Sequence, residues 1–570
     1  MFRLLLPLLP LLGLAGACRP SPRAPAAQAG TWDSFVDRFL EAHFAANPGF
    51  AVYQGRHEYD GKLPDWSDAG LRREVARLRA AHDSAAAWDT TGLDARERLQ
   101  RSAMIAVLEG QLFWLDDAKW PWKNPTWYAD NLDPNVYIAR PYADPTVRAR
   151  ALTAWARAVP GAARQIQANL HTPLPKPYVA IGRIRFGKLA SFLRSDAPQA
   201  FTEVKDSAVL GGLHAALDSA AGAMDRLDAW FASEERTATD SFAMGPELFA
   251  RMLQATDRVE VPLERLEAIG RADFDRNLAA LRAACAEFAP KQTLRACIAK
   301  ASALKPRGSV VEAARRQLDS LSAFVRAHDL VTVPGDEKAE VRESPPYQRW
   351  NFAYIDPPGP YDQGLPSVYY VAPPDPAWPA QERHDYLPGR AHLEFTSVHE
   401  VWPGHFLQFL HSNRSADKFG AVFVTYAFAE GWAHYAEEMM WEAGLGDGSP
   451  EVHIGQLQNA LLRDARYLSA IGMQTKGMTP AESERLFREE ALQDAANARQ
   501  QAARGTFDPE YLNYTLGKLM IRQLREDWTA TRGGRAAWKA FHDQFLSYGG
   551  PPVPLIREEM LGPGAGPALR

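Results

Sequence analysis

The sequence predicts a mainly helical protein, one large unit whose helices form a shell around a deep cleft. Segments 71–87, 146–170, 208–230 and 262–288 repeat apolar residues at three-and-four spacing, the mark of helices with one buried face. No Gly/Ser linker, charge block or internal repeat divides residues 31–570, and an apolar content of 46% is ample for a large core. The helical part that runs to about residue 330 carries no metal-ligand spacing, so the chemistry is expected in residues 331–570.

Taken in order, residues 1–17 hold one early cation, Arg3, then an apolar run interrupted by prolines, then Ala15, Gly16 and Ala17. That is the form of a secretory signal peptide, too short and too proline-rich to span a bilayer. Cys18 directly after these small residues matches the lipidated cysteine of a bacterial lipoprotein, with plain cleavage as the alternative. Residues 18–30, rich in Ala, Pro, Ser and Gln, read as a tether. The expected location is outside the cytoplasm, with membrane contact through the anchor alone. The net charge of −5, from 64 basic and 69 acidic residues, offers no footprint for nucleic acid or an anionic membrane.

Within the helical part, residues 113–128 are dense in aromatics, which suits either a platform for stacking substrate or packing between helices. Cys285 and Cys297 flank a turn around Pro290. In an exported chain they are candidates for a disulfide, with two core thiols as the alternative. From 331 to 390 the texture changes to prolines, glycines and aromatics, and Ser367 to Ala372 forms a short run of strand formers ended by Pro373 and Pro374.

The densest chemistry follows, in His399-Glu400-Val401-Trp402-Pro403-Gly404-His405 and then Glu430-Gly431-Trp432-Ala433-His434-Tyr435-Ala436-Glu437. Two imidazoles and a carboxylate are the ligand set of a catalytic zinc site, with Glu400 beside the first histidine available as general base. The usual zinc-protease motif spaces its histidines at i and i+4. Here the second lies at i+6, about 240° round an ideal helix, so a regular helix would point the rings apart. Pro403 and Gly404 supply the remedy: a bulge or break there is expected to re-aim His405 at the same ion. In the second segment Glu430, His434 and Glu437 share one helical face, within about 60° of one another, and each has the reach to approach the site.

These two segments resemble the signature of a family of bacterial proteins known as domain of unknown function 885, His-Glu-x-x-Pro-Gly-His followed by Glu-Gly-Trp-Ala-x-Tyr-x-Glu. The resemblance implies a helical zincin fold of the glutamate-ligand type, similar to oligopeptidases and carboxypeptidases that act on short chains. It implies His399, His405 and Glu430 as ligands of Zn2+, and the helical face leaves Glu437 better placed to accept a hydrogen bond from a ligand histidine. His434, where relatives often carry an apolar residue, is expected to tune substrate binding or face a polar cavity. Zincins of this type present an edge strand to an extended peptide, and the resemblance assigns Tyr369 and Tyr370 to that role, against a plain structural strand.

Residues 508–525 open with Asp508 and Pro509, helix-start signals. On the helix that follows, Tyr514, Lys518 and Arg525 fall within about 40° of one another. Tyr514 is the candidate oxyanion donor. Lys518 or Arg525 is the candidate for holding a substrate carboxylate, against a surface stripe of cations. The function expected is a zinc hydrolase of short peptides. A zinc amidase or esterase acting on a cell-wall fragment, and a non-catalytic peptide-binding lipoprotein, are the rivals.

Overall fold

The amphipathic segments fold as helices Asp68–Ala86, Pro145–Asn169, Ser207–Glu234 and Leu263–Phe288. They are seen in a computed structural model that describes residues 30–345, 349 and 352–570. Cys18, the signal peptide and the tether up to residue 29 lie outside the described residues. Starts and stops follow local chemistry. Asp144 caps one helix by accepting the Thr146 N–H, with Pro145 in the first turn, and Thr479 and Glu482 form the reciprocal capping box that the sequence announces. No helix among the described residues is long and apolar enough to cross a membrane.

Six helices and a small sheet position the site. The helices are α1 (Leu263–Phe288), α2 (Arg390–Glu400), α3 (His405–Ser412), α4 (Tyr426–Glu442), α5 (Pro450–Thr475) and α6 (Asn513–Thr529). The long, almost wholly buried α5 packs on α1 and α2, while α4 packs on α6 and α2. Their largest apolar core runs from Phe113 to Leu569, so the early helices share it with the late ones. Cys285 and Cys297 are joined as a disulfide between α1 and the following helix, Leu294–Ala303.

The sheet consists of β1 (Ala339–Glu343), β2 (Ala353–Asp356) and β3 (Ser367–Val371) in the order β1-β3-β2. β3 runs parallel to β1, with Val341 opposite Tyr369, and antiparallel to β2, with Ile355 opposite Tyr369. This corrects the edge-strand expectation. Both edges of β3 are occupied, Tyr369 and Tyr370 are buried, and the Tyr370 ring stacks on Tyr354. A continuous run of strand formers marks an interior strand; edges are made of weaker sequence. β2 is the edge beside the cleft, pairing among the described residues with β3 alone.

A polar cluster ties the early helices to β2. Arg140 donates to Asp356 at 2.6 Å, and His57 lies between Asp60 at 3.1 Å and Asp362 at 3.2 Å, its ring flat against Tyr142. Burial works against a charge on His57, but hydrogen bonds to Asp362 and Asp60 outweigh it and push its pKa up to about 9. A raised imidazole pKa adds stability that is complete below its unfolded value of about 6.5 and lost as pH climbs through about 9. The melting temperature of His57→Asn is therefore expected to fall furthest below that of the unaltered protein near pH 6. The gap should close by about pH 10, which a melting series across pH checks.

Candidate metal centre

α2 ends at Glu400 and α3 begins at His405, so the chain breaks where Pro403 and Gly404 stand. Val401 and Trp402 both turn their N–H back to the Ser397 carbonyl, and the Gly404 N–H reaches the Val398 carbonyl at 3.0 Å. The Trp402–Pro403 peptide is cis. Gly404 passes so close to α2 that a Cβ there would sit 1.8 Å from the His399 carbonyl oxygen. The Pro403 carbonyl accepts the Trp432 indole N–H at 2.8 Å, which fastens the break to α4. The His399 and His405 rings consequently meet nearly perpendicular, 4.8 Å between centroids.

Glu430 completes the group. Its Oε2 lies 3.1 Å from His399 Nε2 and 3.2 Å from His405 Nε2, and one donor atom from each of the three residues falls within 4.8 Å of the others. A tetrahedral zinc with ligands at about 2.0–2.2 Å separates neighbouring ligand atoms by about 3.3 Å; the donor set fits zinc in chemistry, and both imidazoles stand near that spacing from Glu430. Burial opposes a charge on Glu430, and the facing imidazoles of His405 and His399 overcome it, holding the carboxylate well below its usual range.

Glu437 Oε1 lies 2.8 Å from His399 Nδ1, which fixes the tautomer that presents Nε2 to the donor cluster. The same oxygen pairs with Arg463 at 3.1 Å, and Arg463 and His399 overcome burial to keep Glu437 ionised. Glu437→Gln is expected to weaken zinc binding about 10–100-fold without displacing the three donors, measurable by competition with a chelator. His434 is fully buried with no hydrogen bond to either ring nitrogen, and burial pushes its pKa down to about 3. It packs 3.6 Å from Glu437 as a neutral ring and is not on the wall of the cavity beside the site, against both roles expected for it.

Glu400 and His399 form part of the wall of a cavity of about 1870 Å³. Burial pushes the Glu400 carboxyl up, a shift toward a proton acceptor of useful basicity. Tyr514 lines the same cavity, its ring within 20° of parallel to His399 and 6.1 Å away. It is brought there by a close crossing of α4 and α6: a Cβ on Gly431 would lie 2.5 Å from Gly517 Cα. Trp114, Trp120 and Trp127 of the aromatic segment both pack on the core and line the cavity.

Lys518 and Arg525 do not reach the cavity. Lys518 is wholly buried, ion-paired with Asp273 and within reach of Glu438 at 3.6 Å. Arg525 donates to Glu442 at 2.6 Å and lies over the Trp538 ring. The shared helical face is real, but α6 is mostly buried, packed on α4, α5 and the last two helices, Trp538–Ser547 and Val553–Leu561, so its cations needed buried partners and took them. Asp508 pairs with Arg504, and Pro509 starts a short 3-10 turn ahead of α6. The sequence reading passed over Arg463, Arg466 and Arg504, all on the cavity wall. Two arginines one turn apart in the apolar α5 were the available signal.

Comparison with known proteins places the chain in a family. The sequence profile of the bacterial proteins of unknown function designated DUF885 matches residues 48–560, and the chain belongs to that family. A candidate lipoprotein of unknown function from Shewanella oneidensis shares the fold at TM-score 0.77 and 24% identity, covering 94% of this chain and 100% of its own. A candidate lipoprotein from Colwellia psychrerythraea also reaches 0.77 at 16% identity, over 94% and 99% of the two chains. An M32 carboxypeptidase from Deinococcus radiodurans, at TM-score 0.33 and 14% identity over 87% of this chain and 95% of its own, is too remote to argue from. No curated protein matches the sequence.

Proposed function

We propose that this protein is a zinc-dependent hydrolase of the glutamate-ligand zincin type that cleaves amide bonds in short peptides. We further propose that it acts outside the cytoplasm, held to the membrane through Cys18. The observation that carries the reading is the convergence of His399, His405 and Glu430 beside Glu400 at the wall of a cavity large enough for a peptide.

A zinc ion held by those three residues supplies Lewis acidity, polarising a carbonyl and making water a stronger acid. Glu400 takes the proton of the attacking water and passes it to the leaving amine nitrogen. The Tyr514 hydroxyl, which makes no hydrogen bond to the described residues, donates to the oxygen on which negative charge develops. Glu437 and Arg463 hold His399 in register throughout.

The test is a peptide library read by mass spectrometry, with zinc supplied and again with chelator. The reading expects cleavage products that vanish with chelator and return with zinc. A zinc-loaded protein that cleaves no peptide rejects it.

A further inference from the structure

Three arginines surround the Tyr514 ring. Arg466 Cζ lies 4.6 Å from its centroid, Arg504 5.7 Å and Arg463 5.8 Å. Two of them are neutralised: Arg463 pairs with Glu437, and Arg504 pairs with Asp508 and donates to the Tyr426 hydroxyl. Arg466 differs. It is only 7% exposed, donates through Nε to the Gln501 side-chain oxygen at 2.8 Å, and forms no ion pair with a carboxylate among the described residues. Buried cations ordinarily have such partners, as Lys518 and Arg525 do in this same chain. Burial and the like charges of Arg504 and Arg463 push its pKa down, so an anion brought beside it relieves a standing cost.

Its position gives that anion a meaning. Arg466 lines the cavity, and both it and the candidate ligand His399 neighbour the Tyr514 ring, at 4.6 Å and 6.1 Å from its centroid. We infer that Arg466 is the substrate-anchoring residue of this cleft, binding the free C-terminal carboxylate of a peptide and so directing cleavage toward that end of the chain. The inference rests on the peptide reading above. It gives Arg466 the task that the sequence had offered to Lys518 or Arg525. A planar guanidinium on a cavity wall suits a carboxylate, whose two oxygens accept parallel hydrogen bonds.

The test is a binding measurement that needs no turnover. Zinc-loaded Glu400→Gln protein is titrated in a calorimeter with N-acetyl-trialanine, with the same peptide as its C-terminal carboxamide, and with a carboxamide peptide carrying one internal aspartate. The free acid is expected to bind at least about tenfold more tightly than either carboxamide, the scale of a lost charge-assisted hydrogen bond. Adding Arg466→Met should erase the difference and Arg466→Lys should restore part of it, with melting curves showing that each variant is folded. Equal binding of acid and carboxamide, or a preference that survives Arg466→Met, overturns the inference. An internal aspartate as good as the free terminus overturns the assignment to the chain end. The two readings fail separately. Cleavage without a terminal preference removes only Arg466's role, whereas a terminal preference in a protein that cleaves no peptide removes only the hydrolase.

Discussion

Glu400→Gln is expected to lower peptide hydrolysis by about 10²–10⁴-fold while the zinc content stays that of the unaltered protein. The amide matches the carboxylate in size and polarity but accepts no proton, so the loss isolates proton transfer from packing. Glu400 is outside the trio of donor atoms that converge on one point, which is why metal binding should survive. Steady-state kinetics beside metal analysis of the same preparation reads both halves. Unchanged turnover means that another group is the base, and a loss of zinc means that Glu400 belongs among the ligands.

Gly404→Ala is expected to do the reverse, removing the metal by moving one ligand. The new Cβ would fall 1.8 Å from the His399 carbonyl oxygen and 2.5 Å from that of Val398, both backbone atoms of the helix that carries the other histidine. No rotamer relieves a clash with backbone, so the start of α3 must shift, and His405 moves with it. Zinc affinity should drop by more than about 100-fold, beyond the usual cost of losing an outer partner. Folding stability should fall by about 1–3 kcal/mol, the scale of overpacking a filled site. Gly92→Ala is the matched control, since a Cβ there meets nothing within 4 Å. Equal zinc affinity in the two variants would show that the break has no bearing on the site.

Much of this molecule was legible in its sequence, because the signals concerned were local. Apolar periodicity gave Pro145–Asn169 and Leu263–Phe288 nearly to the residue. The i+6 spacing of His399 and His405 demanded a break, and Pro403-Gly404 was the one pair between them able to make it. The errors came where the answer depended on what lay across the fold. Ser367–Val371 advertised its strand character because two strands cover it, which disqualified it as an open edge. Lys518 and Arg525 looked free to hold a substrate carboxylate because nothing near them in sequence announced Asp273 or Glu442. Arg466 escaped notice for the opposite reason: its importance lies in the partner it does not have, and only a folded chain reveals that.

Zinc-edge X-ray absorption on protein purified with zinc, read beside the metal content, addresses the coordination directly. The geometry predicts one zinc per chain with two imidazole nitrogens and at least one carboxylate oxygen at about 2.0–2.2 Å, and loss of that signature in His405→Ala. A chain that retains no zinc when zinc is supplied, or a spectrum unchanged by His405→Ala, would contradict it.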